Sequence, residues 1–164
     1  MDHSPRFALP FLAPGQAQKE WFHNEALQRI DMLLWPVVEG PPMATPPSGP
    51  AAGACYLVAA GATGAWAGED GSLACFTDGG WRFVAAIEGA RVLDRTSGQM
   101  VERRSGNWET GVVRAQELRI NGQAVVGERQ AAIGDPLGGA VVDVECRSAV
   151  SSILAGLGAH GLIG

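Results

Sequence analysis

Between residues 55 and 126 the chain consists of short runs of β-favouring residues separated by turns that contain glycine. A pair of strands alone is marginal in water, so several of these runs must share one core. We therefore predict a mainly β (α+β) fold whose body is a small β-meander, closed as a sandwich or a barrel. The predicted strands are 55–60, 73–77, 81–85, 91–94, 100–104, 117–120 and 124–126.

Two dipeptides mark the tightest connections in this body. Asp78-Gly79 and Asn121-Gly122 each stand between two predicted strands. Both pairs combine residues that tolerate the positive φ angles of two-residue hairpin loops. We predict a tight hairpin at each of them.

The N-terminal segment is predicted to be extended. Pro5, Pro10 and Pro14 oppose helix formation and hold the residues before them in extended conformations. We therefore expect residues 1–15 to form an arm that docks on another surface. The apolar side chains of this arm that need cover are Phe7, Leu9, Phe11 and Leu12.

A helix is predicted for residues 16–35, because apolar side chains recur there at helical spacing and Pro36 forces an end. The prolines that follow predict an extended linker or surface strap over 36–53. The spaced apolar residues of the helix are Phe22, Ala26, Ile30, Leu33 and Leu34.

The remaining chain is divided into a β-domain at 54–127 and a helical tail at 128–164. In the tail, apolar side chains recur at helical spacing over 142–157, which predicts a C-terminal helix. The residues that share its apolar face are Val142, Cys146, Ala149, Val150, Ile153 and Leu157.

Composition excludes some partners and favours others. The formal net charge is −5 with a single lysine, Lys19, which argues against nucleic-acid binding. Prolines and glycines interrupt every apolar stretch before it reaches membrane-spanning length. Charged residues make up only 18% of the chain against 46% hydrophobic. We expect part of this apolar surplus to face sister subunits in a homo-oligomer, either a pentamer or a trimer.

No motif predicts catalysis, a metal site or a cofactor, so we expect a protein that is not an enzyme. His23-Asn24-Glu25 lacks the second histidine of the zinc-binding H-E-x-x-H pattern. Cys55, Cys75 and Cys146 show no metal-ligand spacing, and we interpret them as buried thiols of a protein made in a reducing compartment.

A Gly-x-Trp triplet recurs in the β-region, ending at Trp66, Trp81 and Trp108. A tryptophan face on a rigid β-scaffold can stack on a sugar. A tryptophan that follows a tight turn is, however, more often the core anchor of a small β-domain. We favour packing for these three residues and keep sugar contact as the alternative.

Several stretches resemble a family of uncharacterised phage-related proteins that is common in alphaproteobacterial genomes. They are RFALPFLAPGQAQKE at 6–20, HNEAL at 23–27, Asp31, YLVA at 56–59 and GATGAWAG at 61–68. The resemblance covers roughly residues 6–110. Shorter stretches, including VVGERQ at 125–130 and AHGLI at 159–163, resemble the segment that often follows this domain.

The resemblance implies a structural virion protein. Members of the family look like fibre or spike components of prophages and of gene transfer agents, whose head spikes support attachment to surface polysaccharide. This chain ends at Gly164 without a repetitive shaft. The expectation is therefore a head-spike base or fibre-anchoring subunit, with a carbohydrate-binding module or receptor-contacting tail-fibre component as the alternative.

The partners implied are sister subunits, capsid or tail proteins, a spike fibre protein and host capsular polysaccharide. Such a subunit is made in the bacterial cytoplasm, assembles into the particle and is released by lysis. We expect particle or subunit docking to use the arm and the start of the helix. The predicted docking residues are Phe7, Leu9, Phe11, His23, Asn24 and Glu25.

Overall fold

A computed structural model describes residues 2–13, 15 and 19–163 of the chain. The fold is mainly β, with three sheets and a helix near each end, as the sequence predicts. The fold divides into two compact units, Met1–Val112 and Val113–Gly164. The elements in chain order are α1 Lys19–Leu33, β1 Val37–Val38, β2 Cys55–Leu57, a 3₁₀ turn Gly64–Trp66, β3 Leu73–Thr77, β4 Gly80–Val84, β5 Arg91–Asp94, β6 Met100–Arg104, β7 Asn107–Thr110, β8 Leu118–Ile120, β9 Gln123–Val126 and α2 Val144–Ala159.

Two sheets form the body of the first unit. One has the order β1-β5-β6-β7 and the other the order β2-β3-β4. All pairs are antiparallel except β1 with β5, which run parallel. One buried apolar cluster takes residues from both sheets and from α1, which gives the unit a sandwich-like core. Its members are Met32, Val38, Cys55, Leu57, Leu73, Cys75, Val92 and Val101.

The proline-rich segment 36–53, for which we predicted a linker or a surface strap, is bonded to the body and is not a linker. Val38 is fully buried, and β1 pairs with β5. Past β1, Glu39 N donates to the Cys55 carbonyl and Met43 N to the Leu57 carbonyl. Prolines remove backbone donors only at their own positions, so the residues between them are free to bond a neighbouring strand.

The two predicted hairpins are confirmed, with different turn geometry. At the second, Asn121 and Gly122 both have positive φ, as a two-residue hairpin loop of the expected type requires. At the first, Thr77 pairs with Gly80 across the predicted loop, but the positive φ falls on Gly80. The sequence places this turn correctly and misassigns its left-handed residue by one position.

Residues 2–11 fold back on themselves and do not form the extended arm that we predicted. Ser4 N donates to the Leu9 carbonyl, Phe11 N donates to the Asp2 carbonyl, and His3 bridges Pro10. The turn at residues 5–7 closes this small hairpin. Prolines exclude helix here, and the sequence gives no local sign that the extended halves pair with each other. Met1, Pro14 and 16–18, which the predicted arm and helix include, lie outside the described residues.

The Asp31 carboxylate holds this hairpin onto α1. It is buried, and it accepts hydrogen bonds from Ser4 Oγ at 2.6 Å, from Arg6 N at 3.0 Å and from Phe7 N at 2.8 Å. A buried carboxylate is stable in a fold only when hydrogen bonds replace its lost hydration. The turn at residues 5–7 supplies those bonds, so the hairpin and the helix depend on each other.

Arg6 completes the junction from the other side. Its guanidinium donates to the carbonyls of Asp31, Met32, Leu34 and Trp35. The last carbonyls of a helix have no partners within the helix and carry partial negative charge, so a cation there is favourable. Together, Asp31 and Arg6 form a contact that we call the N-terminal clasp.

The second unit combines the β8–β9 hairpin with α2. Asp143 begins the helix, because its carboxylate accepts from Cys146 N at 2.8 Å. The helix is close to the predicted one, but none of residues 113–163 is buried, so its apolar face stays in solvent. The structure thus ends the first β-body at Val112, whereas the sequence analysis extended it to residue 127. The reason is that β8 pairs only with β9, and the periodicity of a strand carries no information about its partner.

The clasp predicts a strong effect of Asp31→Asn. The amide would present an NH₂ group to donors that now meet an acceptor, so at least one bond is lost inside the fold. We expect the free energy of unfolding of the first unit to fall by about 3 kcal/mol, measured by urea denaturation. Asp78→Asn is the matched control, since Asp78 is exposed in a turn, and it should change stability by less than about 0.5 kcal/mol. Equal effects of the two substitutions would contradict the clasp.

Candidate interaction surface

The apolar residues that predict α1 are the ones it exposes. The residues that it buries are Asp31 and Met32, and Arg82 of β4 holds Glu25 at 2.8 Å. Along α1 and the two residues that follow it, bulky apolar side chains remain largely in solvent, and we name them the α1 apolar surface. Its members, with exposed fractions, are Trp21 69%, Phe22 70%, Ile30 46%, Leu33 53%, Leu34 44% and Trp35 79%.

A shallow apolar depression continues this surface beyond the end of α1. It has a volume of about 200 Å³, and Leu33, Pro36, Val84, Ile87 and Trp108 contribute to its walls. Ile87 is itself 77% exposed. Large apolar areas of this kind are uncommon on monomeric soluble proteins and mark sites of association.

Charged residues border the other end of the α1 apolar surface. Glu25 bonds both Arg82 and Arg29, and these three residues line a second depression with Trp21 and Phe22. Aromatic side chains with adjacent arginines and a polar margin are the composition that protein interfaces favour. The α1 apolar surface therefore has a composition that is typical of protein interfaces.

The predicted docking motif on α1 contributes mainly to the fold. Asn24 exchanges two hydrogen bonds with the backbone of Leu12, accepting at 2.9 Å and donating at 3.1 Å. Glu25 is held in the ion pairs with Arg82 and Arg29. His23 is exposed and remains available to a partner.

The predicted docking residues of the arm lie in or beside the N-terminal hairpin. Phe7 is 47% exposed, while Leu9 and Phe11 are partly buried. The Arg6 guanidinium lies 5.3 Å from the Phe7 ring centre, a cation–π distance. Because the hairpin folds on its own helix, only Phe7 of these three offers a large free apolar face.

The three tryptophans of the Gly-x-Trp triplet have different environments. Trp66 is fully buried, in a cluster with Val58 and Ala74. Trp81 packs edge-on against it, with ring centres 5.0 Å apart, and Tyr56 completes the aromatic group. The sugar-platform alternative is therefore wrong for Trp66, whose faces are covered by protein.

Trp108 lies beside an open cleft of about 270 Å³ between β7 and the loop before β3. The Arg103 guanidinium lies 5.4 Å from its ring centre. Asp70 also lines the cleft, and the backbone N–H groups of Ala62 and Gly61 hold its pKa below the ordinary value. An aromatic ring, a guanidinium and a carboxylate in one cleft are suited to a small polar ligand such as a sugar.

No group of three or more histidine, cysteine, aspartate or glutamate side chains that could hold a metal ion occurs in the described part of the chain. Within the same residues, no helix is long and apolar enough to cross a membrane. Cys55 and Cys75 are buried as the sequence predicts, but Cys146 is exposed, because α2 has no packed face.

Truncating tryptophans separates core anchors from surface residues. Trp66→Ala should lower the free energy of unfolding by about 3–5 kcal/mol, since it empties a fully buried site. Trp35→Ala, at a residue that is 79% exposed, should change it by less than about 0.5 kcal/mol. Thermal and urea denaturation followed by circular dichroism measure both. A mild effect at Trp66 would contradict the core assignment.

Comparison with known proteins identifies the chain at the level of a family. No curated protein matches it. A family model described as protein of unknown function (DUF2793) matches residues 23–109, just over half of the 164-residue chain. The matched segment begins within α1 and ends within β7, so it contains both sheets of the first unit and most of the α1 apolar surface. The chain belongs to the DUF2793 family.

Proposed function

We propose that this chain is a structural virion subunit, a head-spike base or fibre-anchoring protein of a phage-like particle such as a gene transfer agent. In this role it forms a homo-oligomer, as a pentameric ring or a trimer, and supports attachment to host surface polysaccharide through a fibre partner. The observation that carries the proposal is the α1 apolar surface. The phage association comes from the sequence resemblance, which covers roughly residues 6–110.

The area of the α1 apolar surface favours permanent association over occasional contact. Covering one large apolar side chain contributes about 1.5–3 kcal/mol. Trp21, Phe22 and Trp35 are each more than two-thirds exposed, so an interface that covers them gains several times that amount before its entropic cost. In a permanently assembled subunit such a surface is covered by its partner, whereas in a free monomer it would stay exposed and cause aggregation.

The helix itself is well suited to hold such a surface. The N-terminal clasp fixes its C-terminal end, and the Arg82–Glu25 ion pair fixes its first half to β4. Neither anchor uses the apolar side chains, so these stay free for a partner while the backbone is already ordered. A preformed interface loses less conformational entropy on binding.

The charged residues beside Trp21 and Phe22 also favour association between copies of the chain. Arg29 is 58% exposed at its side chain and lies beside Trp21 and Phe22, while Glu25 is partly covered. In a symmetric ring, a patch that carries both signs can face a copy of its neighbour without net repulsion. Capsid or tail proteins and a spike fibre protein are the further partners of the assembled ring.

Light scattering of the full-length chain at micromolar concentration tests the oligomer. We expect a mass that is a small multiple of 17.1 kDa. The double substitution Trp21→Ser, Phe22→Ser should shift it to the monomer, because two exposed aromatic contacts are removed without loss of core packing. Leu137→Ser, at a residue that is 90% exposed in the second unit, is the matched control and should leave the mass unchanged. A clean monomer of the natural chain would overturn the oligomer.

The virion role is tested separately, by fractionating particles from cells that produce them. The natural chain should sediment with the particles and resist washing, and the Trp21→Ser, Phe22→Ser variant should remain in the soluble fraction. A chain that oligomerises in solution and is absent from purified particles would refute the virion role and leave the oligomer intact.

The cleft at Trp108 favours a second candidate function, a carbohydrate-binding module that contacts the receptor directly. Arg103 and Trp108 would form the platform and Asn107 would donate from the rim. Capsular polysaccharide should then quench tryptophan emission, and Trp108→Phe should remove the response while Trp35→Phe retains it. Unchanged emission on adding the polysaccharide would exclude this candidate.

A further inference from the structure

Cys55 of β2 and Cys75 of β3 stand directly opposite each other in the antiparallel pair. Both side chains are buried, 1% and 0% exposed, and both thiols are free. They lie in the core cluster between the two sheets, together with Leu57 and Leu73. Opposite residues of an antiparallel pair project to the same face, so the two thiols are neighbours.

The backbone hydrogen bonds show which kind of opposite pair this is. The Cys55 carbonyl accepts from Glu39 N, on the side away from β3. The bonds between β2 and β3 fall at even-numbered positions of the β2 side, at Ala54, whose carbonyl accepts from Phe76 N, and at Val58, whose N donates to the Ser72 carbonyl. Cys55 and Cys75 therefore form a pair that exchanges no backbone bonds, the closer of the two kinds.

This spacing suits a covalent bond between the sulfurs. Opposite residues without backbone bonds have Cα atoms about 4.5 Å apart, with side chains closer than in bonded pairs. Disulfides span Cα separations of about 4.4–6.8 Å. The backbone of β2 and β3 therefore needs little movement to accept a disulfide.

The two thiols also influence each other. Cys55 Sγ donates to the Gly53 carbonyl at 3.6 Å and Cys75 Sγ to the Phe76 carbonyl at 3.9 Å. Interaction with Cys75 lowers the pKa of Cys55, although burial opposes the shift. Interaction with Cys55, together with burial, raises the pKa of Cys75. The ionisation of one thiol is therefore coupled to that of the other.

We propose that Cys55 and Cys75 are an oxidation site that closes to a cross-strand disulfide when the chain folds in the presence of a low-molecular-weight disulfide such as oxidised glutathione. The thiolate of one of these cysteines attacks one sulfur of glutathione disulfide, forming a mixed disulfide and releasing one reduced glutathione. As β2 and β3 pair, the thiol of the other cysteine attacks the protein sulfur of the mixed disulfide and releases the second glutathione. Two protein thiols are oxidised, one glutathione disulfide is reduced, and the thiol protons leave with the two glutathiones.

The disulfide joins strands that are already paired in the fold. It therefore stabilises the protein mainly by lowering the conformational entropy of the unfolded chain. It closes a loop over residues 55–75, which contains the 3₁₀ turn and Trp66. A loop of this length restricts the unfolded state substantially. The oxidised first unit should therefore resist unfolding better than the reduced one. The inference rests on the register and burial of the two cysteines and is independent of the proposed virion role.

The test is to refold the reduced full-length chain in a glutathione redox buffer, which gives the thiols access to the oxidant before they become buried. Remaining thiols are alkylated, and the chain is cleaved at Glu69, which lies between the two cysteines in the sequence. The expected products are peptides containing Cys55 and Cys75 that separate only after reduction, with Cys146 alkylated. The oxidised protein should also melt about 10 °C higher than the reduced one.

Variants make the result specific. Cys146→Ser should retain both the linked peptides and the rise in melting temperature, because Cys146 is exposed in the second unit. Cys55→Ala and Cys75→Ala should each abolish both. Folded natural chain with all three cysteines alkylated or carrying glutathione, or with Cys146 in the link, would overturn the proposal. The peptide result on the natural chain decides the matter even if a variant fails to fold.

Discussion

The buried carboxylate of Asp31 is the contact on which the arrangement of the first unit depends. It accepts three hydrogen bonds from the turn at residues 5–7 and its neighbour Ser4, while Arg6 from the same turn covers the end of α1. The N-terminal hairpin provides the hydrogen-bond donors that the buried carboxylate needs. It also provides the cation that stabilises the last carbonyls of the helix. The N-terminal hairpin and the C-terminal end of α1 are thereby joined at one point.

This polar clasp explains how α1 can leave its apolar side in solvent. Most surface helices are held by burying an apolar stripe. Here the helix is held at its end by Arg6 and along its side by the Glu25–Arg82 ion pair, with Met32 as its buried apolar anchor. Trp21 and Phe22 are consequently available for contact with another subunit. The polar contacts that hold α1 in the fold thus also leave free the side chains that the proposed oligomer uses.

Local sequence signals predict the parts of the fold that depend on neighbouring residues. The strands around Asp78-Gly79 and Asn121-Gly122 follow from turn chemistry, and the end of α1 follows from Pro36. Contacts between distant residues escape such reasoning. The parallel pairing of β1 with β5 and the direction in which α1 faces depend on partners that no periodicity identifies. The sequence does not predict β7, because residues 107–110 show no clear alternation of apolar and polar side chains.

The candidate site shows the same division. The sequence singled out the residues around His23-Asn24-Glu25 and the three tryptophans, but two of those on α1 are used within the fold and Trp66 is in the core. The sequence does not identify Trp21 and Trp35 as interaction residues, because the exposure of a side chain depends on how the whole chain packs. The opposition of Cys55 and Cys75 could have been found from strand register, had the register been known.

Hydrogen exchange at the amides of Arg6 and Phe7 tests the N-terminal clasp most directly, because Asp31 accepts both hydrogens. If the clasp forms as described, both amides should exchange at least about 100-fold more slowly than in an unfolded peptide. An Asp31→Asn variant should lose that protection while Val101 in the core keeps its own. Exchange of Arg6 and Phe7 at the unfolded rate in the natural chain, with Val101 still protected, would show that the N-terminal segment is a free arm and would contradict the account.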